Sequence, residues 1–264
     1  MTIDEILQNK ELAYLKKKNE IHKSDFSNFN LDETNKALPS DVLNASIEVL
    51  IYETNISRKR NEVMFEQYKN GYVLNHSVGM RYMKLFLCYN NDAPEYSAEK
   101  ENWNKYFPQV LNKKDVEAKG YFWAVTEAKN VEGSAVVKGS NFLTPSLEVK
   151  EIDEDTINVK LAISPCGIVD SHSDLHVKGL WKKTISENPY DLLLQEHDMD
   201  FDKVIADSIN DGLKVYTQEI TVKELLSKFK KKNIEPSNDT QNKGESAEKP
   251  HLLTPEPIKS YLLI

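Results

Sequence analysis

The sequence predicts an α+β domain that is rich in strands and has an extension at each end. Between residues 41 and 229, alternating or apolar strand-like segments recur between a few segments with helical spacing. Residues 1–40 begin with a charged stretch whose apolar side chains form only a narrow helical stripe. Residues 230–264 begin too polar to form a core and end apolar. We therefore assign an N-terminal helical extension (1–40), a main domain (41–229), and a polar linker with an apolar C-terminal tail (230–264).

The elements of the main domain follow from the spacing of its apolar residues. A helix is predicted over residues 58–70, with Val63, Met64, Phe65 and Tyr68 facing inward. Within residues 184–195, Pro189 separates a short helix from a strand, because proline has no N–H group to donate. Further strands are predicted over 46–52, over 73–90 (a long strand or a hairpin) and over 159–163.

Composition limits the classes of function. The chain has 264 residues, of which 39% are hydrophobic, enough to bury a core of ordinary size. A net charge of −8 argues against nucleic acid as a partner, because binding phosphates needs a concentrated basic surface. No basic leader precedes an apolar core and no long apolar run occurs, so we expect neither secretion nor a membrane partner. Cys88 and Cys166 are predicted to be buried free thiols in a reducing compartment.

Two short segments each place a catalytic type of side chain at the end of an apolar run. One is residues 75–80, which contain Ser77, and the other is residues 192–198, which contain His197. A serine hydroxyl is a poor nucleophile unless a nearby base takes its proton, and imidazole suits that task. We therefore predict that Ser77 is a nucleophile and His197 its base. His76 alternates to the opposite face of an extended segment and is interpreted as a surface or supporting residue.

Several further motifs accompany these two segments, and together they resemble the prohead serine proteases of tailed bacteriophages. The resemblance covers about residues 42–229. It rests on IVDSHSD (168–174), GLW (179–181), LLQEHD (193–198), GLKV (212–215), the segment leading to SVGM (77–80), and the closing strands GYFW (120–123), VEGSAV (131–136) and GSNFLTP (139–145).

The order of these motifs differs from the family pattern. In the family, the segment that matches residues 168–174 (the aspartate block) comes first and is followed by the histidine, the serine and the closing strand. Here the serine half comes before the histidine half. The chain therefore looks circularly permuted, with residues 147–151 expected to pass over the surface as the join between the usual ends. Permutation preserves the same contacts when the original termini lie close together at the surface.

The resemblance implies a barrel-like β core with a few packed helices, and a serine endopeptidase that needs no cofactor. Its expected substrates are capsid, scaffold or portal proteins, processed in the host cytoplasm inside the prohead or virion. Glu132 matches the family's acidic residue and would complete the triad by orienting His197, with Glu127 and His76 as alternatives. The C-terminal tail would serve for docking or for forming a homo-oligomer. The competing hypothesis is a catalytically silent structural or cargo protein of the virion.

Two acidic segments suggest metal sites. Asp170, His172, Asp174 and His176 would share one face of an extended segment, as a transition-metal site requires. The matching family segment has its aspartates without these histidines, so we assign no metal and keep a metal-dependent hydrolase as an alternative. The alternating aspartates at 198, 200 and 202 lack the glycine and the closing glutamate of a calcium loop.

Overall fold

The computed structural model describes residues 40–188 and 190–229, which form a mixed α+β structure of two sheets and a few helices. The predicted α+β class is confirmed. The predicted N-terminal extension, the C-terminal linker and tail, and Pro189 lie outside the described residues. No helix in the described ranges is long and apolar enough to cross a membrane.

The elements are numbered in chain order. The helices are α1 (Ser40–Asn44), α2 (Glu62–Lys69), α3 (Ser97–Tyr106), α4 (Lys113–Lys119), α5 (Lys182–Glu187) and α6 (Val222–Ser227), with 3-10 turns at Pro94–Tyr96, Phe107–Gln109 and Phe201–Lys203. The strands are β1 (Ser46–Ser57), β2 (Asn75–Tyr89), β3 (Tyr121–Val136), β4 (Ser146–Asp153), β5 (Thr156–Pro165), β6 (Asp174–His176), β7 (Leu192–Gln195), β8 (Val204–Asp207) and β9 (Lys214–Thr221).

Local sequence determines where several elements begin and end. The Asn61 side chain accepts a hydrogen bond from the Met64 N–H at 3.0 Å, so α2 begins after Asn61 and is shorter than predicted. The inward positions of α2 are confirmed for Met64, Phe65 and Tyr68, whereas Val63 is 64% exposed on the opposite side. The α4 helix ends at Gly120, which takes the left-handed conformation (φ 80°) that glycine adopts without penalty.

The strands form two sheets. Sheet 1 has the order β4-β5-β1-β9, and sheet 2 has the order β2-β3-β7-β8. The long strand β3 pairs antiparallel with β2 along most of its length, and on its other edge it pairs in parallel with β6 and then with β7. The segment predicted as a long strand or a hairpin is thus the single strand β2. Residues 147–151, predicted as the surface join, form most of β4, a largely exposed strand at the end of sheet 1.

The expected barrel does not close in the described residues. Within the described strand orders, β4 and β9 end sheet 1, and β2 and β8 end sheet 2, so each sheet keeps two edges. The two sheets instead pack against a shared core, to which β1, β3, β5, β7 and β8 all contribute. Tyr52 of β1 lies so close to Gly133 of β3 that an added Cβ would stand 2.7 Å from its ring. Both cysteines are free and buried, as predicted.

Leu193 tests how far β7 depends on this core. Its side chain is fully buried, so Leu193→Ala should lower the free energy of unfolding by about 2–5 kcal/mol. Leu74→Ala is the matched control, because Leu74 is 45% exposed and its truncation should cost much less. Urea denaturation of both variants measures the difference. Equal losses would contradict the placement of β7 in the core.

Candidate functional site

Ser77 lies on β2, directly opposite Ser134 of β3. Opposed residues in an antiparallel pair point to the same face, and alternate residues of a strand share a face. Ser77 and Gly79 therefore share one face of sheet 2 with Ser134 and with Glu132, which lies opposite Gly79. We call this face the site face. The other face of this part of the sheet packs against the core through Val78 and other side chains.

A β-bulge in β3 sets which side chains reach the site face. Glu132 pairs with Gly79 and Asn130 pairs with Met80, so Val131 has no partner of its own. Because of the extra residue, Asn130 and Glu132 lie on opposite faces although they are two positions apart. Asn130 is buried in the core, where it donates to Tyr52 Oη at 2.5 Å. The bulge thus directs Glu132 to the site face.

Gly79 leaves the space that the Glu132 side chain occupies. A Cβ added at Gly79 would overlap the Glu132 carboxylate, since even the Cδ atom would be only 2.8 Å away. Glu132 is 2% exposed, so its carboxylate lies across β2 largely shielded from water. Any larger residue at position 79 would displace it.

His197 sits in a tight turn that follows β7. Glu196 and His197 both have positive φ, 52° and 60°, and the Asp198 N–H donates to the Gln195 carbonyl at 3.0 Å. Positive φ at both central residues is the pattern of a type I′ turn, which usually contains glycine or asparagine. Such a conformation costs about 1–3 kcal/mol for each non-glycine residue. The contacts that hold it are therefore part of the site.

Two of those contacts come from Glu196. Its backbone N–H donates to the Ala135 carbonyl at 2.9 Å, which continues the pairing of β7 with β3. Its carboxylate accepts from the Val137 N–H at 2.6 Å. The turn is thus fixed to the end of β3, one strand away from Ser77.

The turn brings His197 onto Glu132. His197 Nδ1 lies 2.6 Å from Glu132 Oε1, and because a carboxylate can only accept, Nδ1 is the donor. The other carboxylate oxygen accepts from Ser134 Oγ at 2.5 Å, and Ser134 Oγ accepts from the His197 backbone N–H at 3.1 Å. This fixes the histidine tautomer and leaves Nε2 as the ring nitrogen that can accept a proton.

Ser77 lies one strand spacing from this group. Paired residues across an antiparallel ladder are roughly 5 Å apart between Cα atoms, and Ser77 pairs with the same Ser134 that binds His197. Ser77 is 6% exposed. Within the described ranges its hydroxyl makes no hydrogen bond with His197. Contacts between a nucleophile and its base are often long before substrate binds.

One backbone N–H beside Ser77 points to the outer edge of β2 and makes no hydrogen bond within the described residues. The His76 N–H points away from β3, since it donates to the Thr144 carbonyl at 3.1 Å. Successive N–H groups of a strand point to opposite edges, so the Val78 N–H shares this outer edge while the Gly79 N–H points towards β3. Of the two N–H groups that follow Ser77, the one of Val78 is therefore the one that points to the outer edge of β2.

The two alternative partners for His197 lie elsewhere. His76 is completely buried on the core face, with Nε2 3.1 Å from Tyr68 Oη and Nδ1 2.9 Å from the Thr144 carbonyl. Glu127 pairs with Lys84 and Lys183, whose hydrogen bonds hold its pKa below the ordinary value. Of the three candidates named from the sequence, Glu132 is the one that the fold brings to His197.

The aspartate block has a structural role in its own loop. Asp170 Oδ1 accepts from the backbone N–H groups of His172 and Asp174, at 2.8 and 3.0 Å. His176 Nδ1 lies 2.7 Å from Ser164 Oγ. Burial alone would raise the pKa of Asp170, but its hydrogen bonding with His172 holds that pKa below the ordinary value. Within the described ranges, no group of three or more His, Cys, Asp or Glu side chains is arranged to hold a metal ion.

Ser134 and the strained turn were not identified from the sequence. Ser134 binds both Glu132 and the His197 backbone, and its signal was available, because it stands two positions after Glu132 in an alternating strand. The positive φ of Glu196 and His197 had no such signal, since neither residue type marks a turn of this kind.

Comparisons with known proteins give no relative. No protein-family model matches the chain, and no curated protein or solved structure matches it.

Replacing Gly79 should disrupt the contact between Glu132 and His197. The methyl group of Gly79→Ala would displace the carboxylate, so the downfield proton resonance expected of a histidine N–H bound to a carboxylate should disappear. Gly71→Ala is the control, because its methyl group would meet nothing within 4 Å and only turn strain is added. Proton NMR of both variants makes the comparison. A resonance that persists in Gly79→Ala would show that the carboxylate does not need this space.

His76 should make the protein less stable in mild acid. Burial lowers its pKa from 6.5 to about 4, although the hydrogen bond to Thr144 acts in the opposite direction. Between these values the unfolded chain binds a proton that the folded chain does not, so stability falls as the pH decreases. From about pH 7.5 to about pH 5 the loss due to His76 should be roughly 2 kcal/mol.

Urea denaturation at the two pH values tests this. The loss of stability between the two pH values should shrink by that amount in His76→Gln. It should persist in His172→Gln, which leaves His76 in place. An unchanged pH dependence in His76→Gln would contradict the assignment.

Proposed function

We propose that this chain is a serine endopeptidase with the prohead-protease type of fold in permuted order. The observation that supports it most is the group Glu132, His197 and Ser134 on the site face of sheet 2, one strand from Ser77. A buried carboxylate bound to Nδ1 of a histidine, with Nε2 left for a hydroxyl, is the arrangement by which serine proteases activate their nucleophile.

Each residue has a distinct role in the proposed acyl transfer. Ser77 Oγ attacks the scissile carbonyl while His197 Nε2 takes its proton. Glu132 holds the ring in its tautomer and stabilises the imidazolium that forms. The Val78 N–H, which points to the open edge of β2, donates to the oxyanion. His197 then protonates the leaving amine, and water attacks the acyl-enzyme with His197 again acting as base.

The permuted order is compatible with this mechanism. The site is assembled from β2, β3 and the turn after β7, so it depends on the pairing of these strands and not on which comes first in the chain. From the family resemblance we propose capsid, scaffold or portal proteins as substrates, inside the phage prohead or virion. The same resemblance gives no role to a cofactor.

One observation favours a second candidate, a virion protein that keeps the fold without activity. Ser77 is almost completely buried, and in the described part of the chain its hydroxyl does not form a hydrogen bond with His197. A nucleophile in this position needs His197 or β2 to shift when substrate binds. A silent protein would need no such shift.

A serine-directed fluorophosphonate distinguishes the two candidates. An active site should be labelled at Ser77, and cleavage of co-expressed capsid and scaffold proteins should fall by about a thousandfold or more in Ser77→Ala and in His197→Ala. Glu132→Gln should also lose most activity, because a neutral amide cannot stabilise the imidazolium and does not enforce the His197 tautomer with the proton on Nδ1. EDTA should have no effect.

Ser134→Ala is the comparison variant, since Ser134 lies directly opposite Ser77. Its loss should be roughly a hundredfold or less, because Ser134→Ala removes two supporting hydrogen bonds, to Glu132 and from the His197 N–H, but no group that attacks the substrate. A fluorophosphonate label on Ser134 would show that Ser134, and not Ser77, is the nucleophile. No label and no cleavage would favour the silent protein, and EDTA-sensitive cleavage that survives Ser77→Ala would favour the metal-dependent hydrolase.

A further inference from the structure

The site face continues along β2 and β3 beyond the proposed triad. Ser77, Gly79 and Arg81 alternate on β2, and their partners on β3 are Ser134, Glu132 and Lys129. Arg81 and Lys129 therefore form the next opposed pair on the same face, four residues from Ser77 along the strand. At about 3.3 Å per residue, this pair lies roughly 13 Å from the nucleophile.

Arg81 and Lys129 are two cations placed directly opposite each other. Opposed side chains have their Cβ atoms roughly 5 Å apart, and like charges in this position repel. Both residues are exposed, and neither forms a salt bridge within the described ranges. The nearest carboxylates on the ladder have other partners: Glu132 binds His197 and Ser134, and Glu127 binds Lys84 and Lys183. No carboxylate of the ladder therefore neutralises the pair, and Glu187, which lines the same cavity as Lys129, forms no salt bridge with it within the described residues.

The surroundings of the pair suit a polypeptide ligand. A cavity of about 230 Å³ adjoins Lys129 and is lined by Met83, Lys183, Glu187 and neighbouring residues. Met83 is 54% exposed, which provides an apolar contact beside the charges. Moreover, β2 ends the described strand order of sheet 2, so an extended peptide can run along its open edge past both Ser77 and Arg81.

We propose that Arg81 and Lys129 form a specificity subsite that binds an acidic side chain of the substrate. The inference rests on the proposed function, since it takes Ser77 as the point of cleavage. A substrate extended alongside β2 would place the acidic residue about four positions from the scissile bond. The two cations bind its carboxylate from opposite strands, and this fixes the register of the peptide relative to Ser77.

The test uses a randomised library of internally quenched peptides and the full-length chain. Wild type should cleave peptides with Glu or Asp at one fixed distance from the scissile bond about tenfold or more faster, in kcat/KM, than their Gln or Asn counterparts. The preference should decrease with added salt. Arg81→Gln and Lys129→Gln should each reduce it, and the double variant should abolish it, so that acidic and neutral peptides of one pair are cleaved with equal kcat/KM.

Lys150→Gln is the control, because Lys150 lies on β4 of the other sheet and pairs with Glu148. It should keep the full preference. Ser77-dependent cleavage without an acidic preference, or a preference unchanged in the double variant, would overturn the subsite and leave the protease intact. Aggregation of the variants with unchanged specificity would mean that the cations only protect an exposed strand edge, and would overturn it as well. Absence of Ser77-dependent cleavage of every peptide would overturn both proposals.

Discussion

The contact between Glu132 and His197 across Gly79 is the interaction on which the rest of the site depends. It joins three elements that are far apart in the chain: β3, the turn after β7, and the strand β2 that leaves space for the carboxylate. Burying a carboxylate is costly unless its oxygens are hydrogen-bonded, and here both oxygens have a partner. Ser134 and the imidazole therefore stabilise the buried carboxylate as well as being positioned by it.

Neighbouring hydrogen bonds to β3 offset the strain in the turn. Two consecutive non-glycine residues with positive φ cost a few kcal/mol, a considerable part of the net stability of an ordinary domain. Hydrogen bonds from the His197 and Glu196 backbones to β3, and the bond from Val137 to the Glu196 side chain, compensate for this cost. A fold that only needed to reverse the chain here would be more stable with asparagine and glycine. The presence of Glu196 and His197 indicates that the side chain at the tip matters more than the turn itself.

Most of the strands were predictable from the sequence because alternation is a local signal, whereas Glu132 was named only because it matches the acidic residue of the resembled family. Alternation put Ser77 and His76 on opposite faces, and the structure has them so, with His76 in the core. The bulge at Val131 could not be predicted, because it is a feature of the pairing between β3 and β2. The sequence of β3 alone does not show at which residue its side chains change faces. The open sheets were missed for a related reason, since strand alternation does not specify which strand edges meet.

If the chain is a permuted member of the proposed family, there is a simple physical reason why the permutation would leave the site unaffected. β3 lies between β2, which carries Ser77, and β7, which leads to His197, so the central strand aligns both partners through its own register. Ser134 is paired with Ser77 on one side and with Leu194 on the other. No chain connection between β2 and β7 enters this alignment. Moving the chain ends relocates loops such as the one before β4, while the geometry at Ser134 is still set by two strand pairings and one turn.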